Sequence, residues 1–455
     1  MTTEYEQLVA KQRGELTSAL LGHVKRTRWS ADRIHNERVR GLRQLLSAAI
    51  EGSAFHRARL GDLDVESFTE ADLRQLPTMS KADVMANFDD VVTDPRFTLA
   101  AVDDHIESIT RDAYMLATHR AFPTGGSSGR RGVFLYGWDE WVTLLAMANR
   151  WLLVRSLRAE RSEEYRSVAI FAGGATHISG AFQDFLYAGS DSTSRISASA
   201  PADEIVTYLN ELQPERLMTY PSTLRMLVQR AEMGDLHVTP VEIHTSGEYL
   251  SPTLRDEVHA TWGVSVFDYW GTTEGVYAFP CGVDTSMHLP DDLVIVEPVD
   301  VDGTAVAMGE PAAKILITRL YNTTQPLIRY EIADAMTVTT GICACGSAHS
   351  RLSDLRGRTS DLFAYPDGTV LTSLAVPFDP LEIDRAVIDY QVIQTERGAR
   401  IIVFCAQPPD LDALHAHLIA ALETAGLRSP EISITVEPQL DRLASGKLRR
   451  WVPMN

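Results

Sequence analysis

The sequence predicts an α/β protein with a parallel sheet and a second, smaller α+β region toward the C-terminus. From Ser167 to Tyr269, short β-rich runs alternate with helical patterns, which is typical of a parallel sheet. A shorter alternation follows Asp361. The chain has 455 residues, of which 45% are hydrophobic and 23% are charged. This length and composition suit roughly two or three globular domains with ample cores.

Local patterns assign the individual elements. The predicted strands lie at 168–171, 241–244 and 264–267 in the first region and at 390–394, 400–405 and 432–436 in the tail, where a helix is predicted at 411–425. Ser251 and Pro252 indicate a helix start, since serine caps the first amides and proline suits the first turn. Because Gly357–Ser360 separates the two regions, we predict domains at 1–357 and 358–455.

Charge and composition exclude several classes of protein. The formal net charge of −19 disfavours binding to a nucleic-acid backbone. The chain has no apolar run of the ~20 residues that a membrane helix needs. Glu4, Glu6 and Glu15 interrupt the N-terminus, so we expect no signal peptide and a cytosolic location. Four cysteines are too few for a disulfide framework at this length.

A glycine-rich segment, Thr124–Gly132, has the composition of an anion-binding loop. Glycines let the backbone approach phosphate oxygens, while hydroxyls and amides donate to them. The segment lacks the Gly-Lys-Ser/Thr ending of a Walker A loop, which disfavours a P-loop NTPase. Taken alone, the segment is more typical of an ordinary surface turn than of an anion-binding loop.

Three further segments support a nucleotide site. Thr245–Glu248 and Asp268–Gly275 each follow a predicted strand, and Arg329-Tyr330 shortly precedes Asp334. Loops at the carboxyl ends of parallel strands line the ligand crevice of an α/β fold. Together these segments offer an aromatic platform for a base, hydroxyls for phosphate, a carboxylate for Mg²⁺ and an aspartate for ribose.

In this order and spacing, the motifs resemble those of the adenylate-forming superfamily, specifically its phenylacetate–CoA ligase-like branch. The matching segments are Leu76-Pro77-Thr78 with Lys81 and Asp83, Thr124–Gly132, Thr245–Glu248, Trp270–Glu274, Pro326–Tyr330 with Asp334, Gly357-Arg358 and Ser445-Gly446-Lys447. The resemblance implies a large N-terminal adenylate-forming domain and a small, mobile C-terminal domain. It also implies an AMP-forming acid ligase, which makes an acyl-adenylate from ATP and a carboxylic acid and then passes the acyl group to coenzyme A.

The resemblance assigns roles to individual residues. The nucleotide would be held by Thr124, Ser127, Ser128, Gly129, Ser246, Gly247, Glu248, Gly271, Thr273, Asp334 and Arg358, with Tyr269 or Trp270 stacked on adenine. Glu274 would bind Mg²⁺, which neutralises phosphate charge. Lys447 would bridge the substrate carboxylate and the α-phosphate, stabilising the charge that builds in the transition state.

Three of the four cysteines fall in two short loops with a histidine. Cys281 and His288 form one pair, and Cys343 and Cys345 form the other, which is the Cys₃His set of a structural zinc site. His349 is an alternative ligand. The competing interpretation is three small buried apolar residues beside an unrelated histidine.

We expect the acid pocket to involve Tyr136, His177 and Tyr220 and to take an aryl or other apolar acid. Three alternatives stay open. The acyl group could pass to an amine, hydroxyl or carrier protein instead of coenzyme A, the chain could be a non-catalytic zinc-containing binding protein, and a homodimer is an option beside a monomer.

Overall fold

The computed structural model describes residues 4–124, 131–158, 165–171, 177–187, 193–355, 363–371, 377–384, 386–405, 407–441 and 448–454. The chain forms two compact units. The first comprises Met1–Glu163, Gly174–Gly189 and Tyr269–Asp354, and the second comprises Glu164–Gly173, Ser190–Asp268 and Leu355–Asn455. The boundary predicted after Gly357 lies outside the described residues, so domains 1–357 and 358–455 stay a prediction.

The helices are α1 (Glu4–Arg26), α2 (Ala31–Gly52), α3 (Ala54–Leu60), α4 (Lys81–Ala86), α5 (Phe88–Val91), α6 (Leu99–Ser108), α7 (Trp138–Arg158), α8 (Ile178–Tyr187), α9 (Ala202–Leu212), α10 (Pro221–Glu232), α11 (Pro252–Trp262), α12 (Asp379–Ile383) and α13 (Leu411–Thr424), with a 3₁₀ helix at Glu70–Gln75. Within the described ranges, no helix has the length and apolar character needed to cross a membrane.

The strands are β1 (Arg120–Pro123), β2 (Val133–Tyr136), β3 (Ser167–Phe171), β4 (Thr193–Ser197), β5 (Arg216–Thr219), β6 (Glu242–Ser246), β7 (Val266–Gly271), β8 (Tyr277–Pro280), β9 (Met287–His288), β10 (Val294–Val299), β11 (Pro311–Ala312), β12 (Lys314–Arg319), β13 (Tyr330–Ile332), β14 (Met336–Thr339), β15 (Arg351–Ser353), β16 (Phe363–Ala364), β17 (Val370–Leu371), β18 (Val387–Thr395), β19 (Gly398–Cys405), β20 (Glu431–Val436) and β21 (Trp451–Val452). The alternation of β3 to β7 with α8 to α11 confirms the predicted α/β class.

The first unit is built largely from antiparallel pairs. β10, β12 and β13 form one sheet, and β1 pairs with β2 so that Pro123 faces Val133. β8 lies between β9 and the end of β7, where Gly271 pairs with Tyr277. The register of this last pair makes Thr272–Val276 a tight turn, closed by hydrogen bonds from Thr272 N to Val276 O (3.0 Å) and from Gly275 N to Thr272 O (3.0 Å).

The second unit contains the parallel strands. β4, β3, β5 and β6 are neighbours in that order with parallel pairing, and α9, α10 and α11 contribute apolar residues to their core. Farther along the chain, β20, β19, β18 and β21 form a mixed sheet with a separate core that includes the buried face of α13. Gln229 Nε2 in α10 donates to Val387 O of β18 (3.1 Å), so the two parts of this unit are in contact.

Candidate active site

The first and last residues of the glycine-rich segment, Thr124 and Gly132, are hydrogen-bonded to each other. Thr124 N donates to Gly132 O (2.8 Å), and Gly132 N donates to the Thr124 hydroxyl (2.9 Å). These bonds extend the β1–β2 pairing by one step, so the ends of the segment are held together as in a hairpin loop. The predicted phosphate ligands Ser127, Ser128 and Gly129 lie outside the described residues.

Side chains from outside the turn hold its three successive carbonyl groups. Tyr136 Oη donates to Thr273 O (2.6 Å), Arg319 Nη1 to Glu274 O (2.7 Å) and Tyr321 Oη to Gly275 O (2.7 Å). Arg319 also donates to Tyr136 Oη (3.1 Å), which links two of these donors. Tyr136 and Arg319 are fully buried. If one of these hydrogen bonds were lost, the buried carbonyl group would be left without a donor, which costs free energy. The backbone of this turn is therefore firmly positioned.

Glycine is required at position 275, because the Tyr136 and Tyr321 hydroxyls that hold the turn approach its backbone closely. Its φ is +90°, and a Cβ built on it would lie 2.4 Å from Tyr321 Oη and 2.6 Å from Tyr136 Oη. Residues with a side chain rarely adopt this backbone conformation, and these distances are far below van der Waals contact. Glycine lets both hydroxyls reach the backbone.

The Glu274 side chain lies at the edge of this network. Its carboxylate accepts a hydrogen bond from Tyr330 Oη (3.2 Å), and the residue is only 9% exposed. Burial raises the pKa of Tyr136 well above its usual value, so at neutral pH its hydroxyl stays protonated and keeps donating to the turn. The arrangement presents an oriented carboxylate, which is the kind of ligand that Mg²⁺ prefers.

Trp270 and Asp334 are brought together. The indole Nε1 of Trp270 donates to Asp334 Oδ2 (2.7 Å), and Trp270 is 8% exposed. Tyr269 stacks on Phe279, with ring centroids 5.1 Å apart and an interplanar angle of 17°. The structure thus gives Trp270 a bond that orients the predicted ribose ligand, while stacking of Tyr269 or Trp270 on adenine stays a prediction.

In the second unit, the segment after β6 is tied to the start of α10. Glu248 accepts hydrogen bonds from Ser222 N (2.9 Å) and from the Ser222 hydroxyl (3.1 Å). Ser246 ends β6 and Gly247 follows it with a φ of +81°. Thr245 Oγ1 donates to Asp268 Oδ1 (2.7 Å), yet burial raises the pKa of Asp268 to about 7. Nucleotide contacts by Ser246, Gly247 and Glu248 stay predictions.

The predicted acid-pocket residues have defined surroundings. Tyr136 is one of the side chains that hold the Thr272–Val276 turn, through its hydrogen bond to Thr273 O. His177 Nδ1 accepts a hydrogen bond from Ser179 N (3.2 Å) at the start of α8. In the second unit, Tyr220 is 1% exposed and packs edge-on against Phe171, with ring centroids 4.9 Å apart. Roles in acid binding stay predictions. The predicted Arg358 and Lys447 lie outside the described residues.

The two cysteine-containing loops converge in the first unit. The ligand atoms of Cys281, His288, Cys343 and Cys345 all lie within 4.8 Å of one another, and all four side chains are buried. The Cys281–Cys343 Sγ separation is 3.8 Å, and Cys345 Sγ lies 3.4 Å from His288 Nε2. Tetrahedral zinc with ordinary bond lengths gives edges of about 3.8 Å for S–S and about 3.5 Å for S–N. The donor set therefore fits zinc.

The histidine of this cluster is oriented from behind. His288 Nδ1 contacts the carbonyl of His349 (3.3 Å), and because a carbonyl only accepts, this nitrogen carries the proton. Its Nε2 lone pair then faces the cysteines, an orientation typical of metal-bound histidines. The His288 ring also stacks on Trp151 at 4.4 Å, and burial lowers its pKa to about 4.

His349, the alternative ligand, contacts the backbone instead. Its Nδ1 accepts from Asp291 N (3.2 Å), and its Nε2 contacts Arg26 O (3.1 Å). Among the described residues, the convergent group contains His288 and not His349.

Sequence reasoning missed Arg319 and Tyr321, although both hold the turn. A signal was present in the sequence, since Arg319 ends β12 two residues after the apolar run 315–317. A buried charged residue at the end of a strand needs partners, and here these are two carbonyl groups and the Tyr136 hydroxyl. Which carbonyl groups they are could not be read from local sequence.

No family model matches the chain. In sequence, it is 20% identical over 362 residues to protein CapK of Staphylococcus aureus, covering 77% of this chain and 73% of that protein. It is 26% identical over 209 residues to the phenylacetate-coenzyme A ligase of Thermus thermophilus, covering 42% of this chain and 45% of the ligase.

Two solved states of a 2-hydroxyisobutyryl-CoA ligase match nearly the whole chain. The postadenylation state with 2-HIB-AMP has a TM-score of 0.73 at 18% identity, covering 95% of this chain and 91% of that chain. The chain has the adenylate-forming ligase fold. The thioesterification state with 2-HIB-AMP and CoA has a TM-score of 0.59 at 17% identity, covering 94% of this chain and 91% of that chain. The fold and the sequence relatives confirm the resemblance predicted from the motifs.

Proposed function

We propose that this protein activates an aryl or other apolar carboxylic acid with ATP and transfers the acyl group to coenzyme A. The observation that carries the proposal is the Thr272–Val276 turn. Hydrogen bonds to its three central carbonyl groups hold Glu274 at a fixed position within an adenylate-forming fold. The named ligase relatives, one acting on phenylacetate, support the same chemistry.

In the first step, a carboxylate oxygen attacks the α-phosphorus of ATP. A P–O bond forms to the acid, the bond to the β-phosphate bridge breaks, and pyrophosphate leaves. Two anions must approach, so the site has to cancel their repulsion and align the attack. Glu274 would hold Mg²⁺, which supplies neutralising charge to the phosphates when bound. Lys447 would contact the acid carboxylate and the α-phosphate, while Asp334, oriented by Trp270, would accept the ribose hydroxyls.

In the second step, the thiol of coenzyme A attacks the acyl carbon. A C–S bond forms, the C–O bond to AMP breaks, and the thiol proton is released. Ligases of this fold have been solved with an acyl-adenylate and with CoA, which favours this acceptor over an amine, hydroxyl or carrier protein. A cytosolic location is part of the proposal.

We further propose that Cys281, His288, Cys343 and Cys345 hold a structural Zn²⁺. The four donors match a closed tetrahedral set, which leaves no position for a substrate. Such an ion would cross-link Cys281 after β8 and His288 in β9 to the loop before β15, and it would take no part in adenylation.

Pyrophosphate release tests the first step. The purified chain is mixed with ATP, Mg²⁺ and a panel of aryl and aliphatic acids. Pyrophosphate release is measured, and the products formed with and without coenzyme A are identified by their molecular masses. We expect an acyl-adenylate without coenzyme A, and a thioester plus AMP with it. A protein that binds no ATP, or that releases no pyrophosphate with any acid, would contradict the proposal.

Lys447→Ala is expected to abolish acyl-adenylate formation while ATP affinity changes little, because the amine acts on charge that develops in the transition state. Pyrophosphate release and ATP binding measure the two effects separately. Lys25→Ala, at an exposed lysine near the end of α1, is the matched control and should behave as the wild type. Undiminished release by Lys447→Ala would remove this lysine from the mechanism.

A further inference from the structure

One carboxylate joins two distant parts of the second unit. Glu248 Oε2 accepts from Ser222 N (2.9 Å), and Oε1 accepts from the Ser222 hydroxyl (3.1 Å) at the start of α10. The same Oε1 accepts from the backbone amide of Leu448 (3.2 Å), which is 200 positions farther along the chain. Leu448 directly follows Lys447 in the sequence, and the residue is only 7% exposed.

The residues after Leu448 are anchored on β18. The carbonyl of Arg450 accepts from Val392 N (2.8 Å), and the carbonyl of Arg449 accepts from Gln391 Nε2 (2.9 Å). The Arg450 guanidinium donates to Asp389 Oδ1 (2.9 Å). Glu248 thus holds Leu448, the first described residue after Lys447, and β18 holds the next two, so residues 448–450 are held from two sides.

Glu248 is poorly suited to bind the nucleotide itself. Its carboxylate already accepts from three donors, and an amino group of a base would have to compete with them. A carboxylate near a triphosphate also adds repulsion.

We propose that Glu248 is a positioning residue that sets the backbone beside Lys447 for the adenylation step. This inference rests on the proposed function and replaces the nucleotide contact predicted for Glu248 with a contact to the chain. The acceptor of the Leu448 amide is the Glu248 carboxylate, and hydrogen bonds to carboxylates stabilise a structure more than those between neutral groups.

Half-reactions test the role. Glu248→Ala should lower the maximal rate of acyl-adenylate formation on the order of 10- to 100-fold, because one bond to a charged group is lost, while the KM for ATP stays within about twofold. Thioester formation from supplied acyl-adenylate and coenzyme A should change by less than about twofold, because Lys447 acts in the first step. Glu248→Gln, which keeps an acceptor for Leu448 N, should recover part of the loss.

Ser222→Ala is the matched control. It removes the hydroxyl donor at the start of α10 but leaves the Leu448 contact, so both half-reactions should stay near the wild type. A raised KM for ATP with an unchanged maximal rate would indicate a base contact, and equal losses in both half-reactions, matched by Ser222→Ala, would indicate a helix cap alone. Either result overturns the proposal.

Hydrogen–deuterium exchange gives a readout that needs no substrate. Amides at 448–454 should lose protection in Glu248→Ala and keep it in Ser222→Ala. Unchanged exchange in Glu248→Ala, with an active wild type, defeats the positioning role. A wild type that releases no pyrophosphate with any acid defeats the proposed function instead, whatever the exchange pattern.

Discussion

Gly275→Ala tests whether the Thr272–Val276 turn is the structural basis of the site. The added Cβ would lie 2.4 Å from Tyr321 Oη and 2.6 Å from Tyr136 Oη, and φ at this position is +90°. Both hydroxyls must retreat, and in doing so they release the carbonyl groups of Gly275 and Thr273. Glu274 lies between these two carbonyl groups, so its side chain should shift with the backbone.

The expected cost follows from these two effects. Left-handed backbone strain at a residue with a side chain costs on the order of 1–3 kcal/mol. Two displaced hydrogen bonds cost about 0.5–1.5 kcal/mol each, which gives a total near 4 kcal/mol. Gly303→Ala provides the matched control, because Gly303 has a φ of +85° and nothing within 4 Å of its built Cβ. It should therefore lose only the contribution of backbone strain, about 1–3 kcal/mol.

Urea unfolding measures the difference between the two variants, and pyrophosphate release measures activity. We expect Gly275→Ala to unfold at lower urea than Gly303→Ala, by about 2 kcal/mol. It should also adenylate on the order of 100-fold more slowly, because a shift of about 1 Å at a catalytic group has this effect. Equal stability of the two variants, or full activity of Gly275→Ala, would refute the reasoning.

Two further perturbations address the proposed zinc site and the pH dependence of stability. Cys343→Ser should lower both zinc content, measured by atomic emission, and thermal stability, whereas Cys405→Ser, outside the cluster, should keep its zinc; a wild type purified without zinc would contradict the site. Because burial raises the pKa of Asp268 from 3.8 to about 7, the folded chain holds a proton that the unfolded chain releases. Stability should therefore fall as pH rises from about 4 to about 7, by at most about 4 kcal/mol, and Asp268→Asn should flatten this dependence in urea titrations; an unaltered pH profile would count against it.

Several elements were predictable because contiguous residues determine them. Ser251 caps α11 by accepting from Leu254 N, and Pro252 occupies its first turn, as predicted. The tail helix predicted at 411–425 is α13, and the predicted tail strands correspond to β18, β19 and β20. Strand β7 begins two residues later than the predicted start at 264, since the apolar run does not show where pairing starts.

The sequence by itself determined the α/β class, the order of the motifs and the donor types of the proposed zinc site. The spacing of apolar residues, helix capping and local composition each depend on a few neighbouring residues, so a single sequence is enough to identify them. Only the tertiary structure decided that Arg319 and Tyr321 hold the turn, that His288 rather than His349 faces the cysteines, and that Glu248 meets Leu448. Each of these partnerships joins residues more than 40 positions apart, and the need of a buried polar group for a partner does not specify which distant residue will meet it.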